Sequence, residues 1–168
     1  MWVVTWMITS VNWMITSVKM NIVMDTSFDI ESWIESILTY WRNKKIELED
    51  GASEFQIKEA EQILGLQLPS TFKGLYEKAN GFRGNDWNEH MVSIWPIERI
   101  IEAHSHKRYA NFVGFSDYFI NSHVFGFLKD RSGIYKFYDL PGIQHPEKIA
   151  DTFVEAIDLI NANSKLLY

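Results

Sequence analysis

Residues 53–81 read SEFQIKEAEQILGLQLPSTFKGLYEKANG, and this stretch decides the fold. Ser53 followed three residues later by Gln56 is a capping box, in which a hydroxyl and an amide satisfy each other's free helix-start N–H groups. Gly65 stands where a left-handed C-terminal cap belongs. Between them Phe55, Ile57, Ala60, Ile63 and Leu64 predict an amphipathic helix. Leu66, Leu68 and Pro69 form a short extended link. Ser70 then opens another helix with Phe72, Leu75, Tyr76 and Ala79 inward, predicted to stop at Asn80-Gly81.

Upstream, Ile30, Trp33, Ile34, Ile37, Leu38 and Trp41 recur at helical spacing, so a helix is expected from about Asp29 to Arg42. The polar run from Asn43 to Gly51 reads as a loop with a short edge strand. Downstream the character changes. Met91–Trp95, Phe112–Phe115, His123–Leu128 and Ile134–Tyr138 are β-branched and aromatic runs. Turns are expected at Ser116-Asp117 and at Asp130–Gly133. Ile97, Ile100, Ile101 and His104 mark a short helix. Ile149, Ala150, Phe153, Val154, Ala156, Ile157 and Ile160 describe a closing one. Helices, then a meander of strands, then a helix is an α+β order. A single domain over residues 25–168 is expected, its largely antiparallel, twisted sheet flanked by helices.

Residues 1–24 do not fit that pattern. Trp-Met-Ile-Thr-Ser-Val occurs at 6–11 and again at 13–18, and Lys19 is the only charged residue before Asp25. The segment lacks the basic start and small-residue cleavage site of a signal peptide. Its polar interruptions are too frequent for a membrane span. The expectation is a tandem duplication translated ahead of a natural start near Met20 or Met24, with a short hydrophobic arm as the other possibility.

The chain has 168 residues, 16 basic against 22 acidic, for a net charge of -6. That balance disfavours a nucleic-acid binder, which neutralises phosphates with Lys and Arg, and suits a basic protein partner. With no cysteine, thiol catalysis, disulfides and thiolate metal sites are excluded. Glu98, Glu102 and His106 follow i, i+4, i+8 spacing, with His104 close by. Lys107 and Arg108 would repel a cation there, and a solvated helix face is the expected reading. Gly114-Phe115-Ser116-Asp117 opens like a nucleophile elbow, but Tyr118 replaces the second glycine. Gly81-Phe82-Arg83-Gly84 lacks the Lys-Ser/Thr of a phosphate cradle and reads as a helix stop with a loop. No catalytic residue, metal or cofactor is expected.

Two groups suggest protein binding. In Asn85–Glu89 the indole of Trp87 stands among Asp86 and Glu89, outside any periodic apolar face; it either marks an interface or folds back over the core. Asp117 lies among the aromatics Phe115, Tyr118 and Phe119. Asp86, Trp87, Glu89, Asp117 and Tyr118 are the predicted partner-binding residues.

The quoted stretch resembles the SUKH superfamily, the Smi/Knr-type domain of yeast cell-wall regulators and many bacterial immunity proteins. Glu59, Glu61, Leu64, Gly65, Leu68, Pro69, Phe72, Leu75, Tyr76, Asn80 and Gly81 stand at the family's motif positions. Gly133-Ile134-Tyr135 is similar to its last strand, and Ile149–Phe153 to its closing helix. The resemblance implies an α+β fold without catalytic residues. For bacterial members it implies a cytoplasmic immunity protein that binds the C-terminal domain of a cognate toxin, often a basic nuclease. The alternative implied is a regulatory scaffold for a cellular partner. Segment 1–24 has no counterpart in the family.

Overall fold

A computed structural model describes residues 28–84, 86–105, 110–138 and 145–168. The repeat-bearing segment 1–24 lies outside these residues, as do Asn85, His106, Lys107 and Arg108.

Helix α1 (Ile30–Asn43) starts where Asp29 accepts hydrogen bonds from the amides of Glu31 and Ser32, and buries Trp33, Ile34, Ile37, Leu38 and Trp41. Strand β1 (Leu48–Asp50) follows. Helix α2 (Glu54–Leu64) has the full Ser53/Gln56 capping box and ends on left-handed Gly65. Its buried face is narrower than expected: Ile57, Ala60, Glu61 and Leu64 point inward, whereas Phe55 and Ile63 face solvent. Glu61 takes the inward place because its carboxylate accepts the Leu68 amide at 2.8 Å and lies 3.4 Å from Lys73 Nζ. That bond ties down the Leu-Pro link before helix α3 (Ser70–Lys78).

Helix α3 stops before Asn80-Gly81, which correct the sequence expectation. Ala79–Phe82 is a wholly buried strand, β2, antiparallel to β1. So Gly81–Gly84 is not simply a helix stop and loop. Gly81 has φ of 77°, and a Cβ there would come within 2.7 Å of Pro96 N and of the Trp95 carbonyl carbon. Glycine is needed because two backbones meet.

Five strands form an antiparallel meander in chain order: β3 (Val92–Ile94), β4 (Phe112–Tyr118), β5 (His123–Leu128), β6 (Arg131–Tyr138) and β7 (Glu147–Ala150). Helix α4 (Ile97–Ser105) lies between β3 and β4, and helix α5 (Phe153–Asn161) follows β7. Three expectations are corrected. Ser116-Asp117 is no turn but part of β4, just past a bulge between Gly114 and Ser116. The chain reverses instead through residues 119–122. The β5–β6 turn is confined to Lys129-Asp130, since Leu128 pairs with Arg131. Ile149 and Ala150 belong to β7, with Ala150 opposite Ile134, not to the closing helix. In each case small polar residues or apolar spacing imitate a turn or helix locally, and strand pairing overrides them.

The core lies between one sheet face and the helices. Phe72 of α3 stacks on Tyr76 at 3.9 Å and packs against Phe115, Phe127 and Phe153 at ring distances of 6.4, 5.9 and 5.1 Å. The α+β class is as expected. Among the described residues no helix is long and apolar enough to cross a membrane.

Candidate functional site

Asn80 connects the core to the surface. Its Oδ1 accepts the Ile97 amide at 2.9 Å, satisfying a free donor at the start of α4, and its Nδ2 donates to Glu98 at 3.0 Å. Strand β2 thereby fixes where the first turn of α4 stands. The result is a cleft of about 500 Å³ in which Glu49 and Asp50 of β1 face Glu98 and Glu102 of α4. Arg83 lies 3.6 Å from Glu49. The other guanidinium present, Arg99, is already engaged: it lies 3.0 Å from Asp117 and covers the Trp95 ring at 4.5 Å.

Arg99 is shared with a second, smaller cleft of about 270 Å³, lined by Trp87, Met91, Ser93, Asp117, Ile120 and Asn121. The two clefts adjoin there. Asp117 is buried beneath the second one, accepting hydrogen bonds from Trp95 Nε1, Arg99 Nη2 and the Asn121 amide. A carboxylate with three donors is a strong organising point. It joins the β3–α4 link, β4, α4 and the β4–β5 turn.

The predicted binding residues are thus only partly brought together. Trp87 is 45% exposed and does not cover the core. It shares the small cleft with Asp117, which acts from below the surface. Asp86 is half-buried and holds its own loop, accepting the amides of Glu47 and Trp87 at 3.3 and 2.9 Å. Glu89 is exposed and paired with Lys44 at 2.6 Å. That hydrogen bond, and then the opposite charge, holds the Glu89 carboxyl below its ordinary range and raises the Lys44 ammonium. Tyr118, next to Asp117 on β4, points to the opposite sheet face. It stacks on His123 at 4.8 Å and meets Tyr168 edge-on at 4.8 Å.

Glu98 and Glu102 line the large cleft, but His104 is turned away toward Lys129, 3.2 Å from its Nζ. Burial first, then Lys129, lowers the His104 pKa. His106 lies outside the described residues. Among those described, no group of three or more His, Asp or Glu is placed to hold a metal ion.

Sequence reasoning missed Arg99, Ile120 and the pairing of β1 acids with α4 acids. Glu49 and Glu98 are far apart in the chain, and tertiary contacts such as the Asn80 bridge bring their elements together.

The SMI1 / KNR4 family (SUKH-1) model matches residues 51–159. The chain belongs to this family. The match begins at Gly51, just after β1, and runs into α5, so the small cleft of this SUKH-1 protein lies within the matched residues, as does the acidic cleft apart from Glu49 and Asp50. Its motif residues Glu61, Asn80 and Gly81 have structural tasks here: one ties the α2–α3 link, and two dock β2 on α4. Proteins of the SUKH family generally bind partner proteins. No curated protein matches the chain.

Proposed function

We propose that this SUKH-1 protein is a non-catalytic cytoplasmic immunity protein, which binds and neutralises the C-terminal domain of a cognate toxin, a basic nuclease by charge. The observation that supports it best is the larger cleft. Four carboxylates, Glu49, Asp50, Glu98 and Glu102, gather from two separate elements in a chain of net charge -6. A basic partner is steered toward such a surface, which speeds capture before damage is done. Occlusion needs no chemistry from the protein, only a stable and complementary face.

The test is co-expression with C-terminal domains of basic nuclease toxins, reading cell growth and, for purified pairs, association rate against salt. Growth rescue is expected, with association slowing as salt rises. The double variant Glu98→Lys/Glu102→Lys is expected to reduce the low-salt association rate by about tenfold or more. Failure to neutralise any toxin domain, with cell-wall or metabolic factors retained by the protein instead, would overturn this reading in favour of a regulatory scaffold.

A further inference from the structure

The β4–β5 turn is not built like an economical hairpin tip. Phe119, Ile120 and Asn121 hold φ values of 47°, 53° and 61°. This left-handed region is unfavourable for any residue with a side chain and most so for a β-branched one. Hydrogen bonds hold the turn. The Asn121 amide donates to Asp117, the Phe119 amide to the Met91 carbonyl, and the Ser122 amide to the Tyr118 carbonyl, each at 2.9 Å. In this conformation Phe119 and Ile120 are displayed to solvent, 55% and 73% exposed. Ile120 faces Trp87 across the small cleft. Single exposed apolar side chains are ordinary. Two from separate loops lining one cleft form a patch, while the neighbouring Phe119 lies with its ring 6.0 Å from that of Tyr118.

We infer that Ile120 and Trp87 are the apolar anchor of the partner interface, taking an aliphatic or aromatic side chain from a protein segment whose Lys or Arg residues lie along the neighbouring acidic cleft. The inference rests on the reading of the protein as a binder of a basic partner, and names how that partner is gripped. Charge chooses the occupant. The patch borders Glu98 and Glu102 through Arg99, so a second copy of this chain would bring like charges together, whereas a basic segment would meet opposite ones. A desolvated apolar centre beside a charged rim is the anatomy of interface hot spots.

A random-peptide phage library selected on the immobilised full chain tests this. Selected peptides are expected to combine Lys or Arg with a large apolar residue. The variant Phe119→Asn/Ile120→Gly places residues that tolerate left-handed backbone at the tip, so its Tm should be unchanged or higher. Peptide binding should nevertheless fall about tenfold or more, and Trp87→Ala should act in the same direction. Phe55→Asp, an exposed aromatic on α2, should bind as the parent does. The anchor is overturned if the tip variant binds unchanged, if no peptide is selected, or if light scattering shows a dimer that the tip variant disperses. Basic peptides without an apolar residue, released by Glu98→Lys/Glu102→Lys alone, would overturn the anchor and leave the basic-partner reading standing. Anchored peptides together with failure to neutralise any toxin domain would support the anchor and overturn only the toxin assignment.

Discussion

At the scale of single residues, Asn80-Gly81 shows how a short motif can be legible and its purpose hidden. The dipeptide reads as a helix stop because Asn and Gly are common there. In the fold the helix has already ended at Lys78, and the pair docks β2 against the start of α4. A side chain at position 81 would be forced against Pro96 N and the Trp95 carbonyl carbon, both 2.7 Å from an added Cβ. Backbone at two sides leaves little room to yield. Gly81→Ala is therefore expected to cost about 2 kcal/mol or more, from the left-handed backbone and the contact together. The measurement is the urea midpoint of the full chain. An unchanged midpoint would mean the β2–α4 junction is loose, and with it the wall of the acidic cleft.

At the scale of elements, α2 is the useful comparison. Periodicity assigns Phe55 and Ile63 to the same apolar set as Ile57 and Leu64, because a sequence pattern records which residues are apolar and not how wide the covered face is. The structure divides the set: Ile57 and Leu64 are buried, whereas Phe55 and Ile63 are 74% and 52% exposed. Ile57→Ala should lower stability by about 2–5 kcal/mol through cavity formation, while Phe55→Asp should change it by about 0.5 kcal/mol or less. Urea unfolding of the two variants side by side checks the division. The strands give the reverse lesson. Ser116-Asp117 and Arg131 stand at turn-like stretches, yet each pairs in a ladder, and the irregularity is absorbed by a bulge after Gly114 in β4 and by a second one at Ser132-Gly133 in β6.

At the scale of the molecule, two histidines from different regions make stability depend on pH in the same direction. His104 is pushed down mainly by burial and then by Lys129. His123, among Tyr118, Phe125 and Tyr138, is pushed down mainly by burial. The nearby Leu167 backbone opposes this in part, and the Lys136 charge adds to it. Both folded-state values lie below the ordinary 6.5, so the unfolded chain binds these protons more readily. The stabilisation is fully present above pH 6.5 and is lost as pH falls from there toward the depressed folded values. Urea midpoints measured from about pH 7.5 to 5.5 should fall steadily on the acid side, and His123→Phe should flatten part of that fall. A midpoint independent of pH across this range would count against both shifts.

Local chemistry in the sequence was enough to determine the helices α1 and α2, the capping box, the left-handed glycine cap, the α+β order and the resemblance that the SUKH-1 match bears out. Each depends on residues within a turn or two of one another. The tertiary structure alone decided where the acids and aromatics meet. Asp86, Trp87, Glu89, Asp117 and Tyr118 look like one kind of residue in the chain. In the fold they become a loop anchor, an exposed ring, an ion-pair partner, a buried bracket and a ring on the opposite sheet face. The clefts arise because Asn80 bridges β2 to α4 and Asp117 bridges the sheet to Arg99. Contacts between residues distant in the chain are set by packing, which no local spacing encodes.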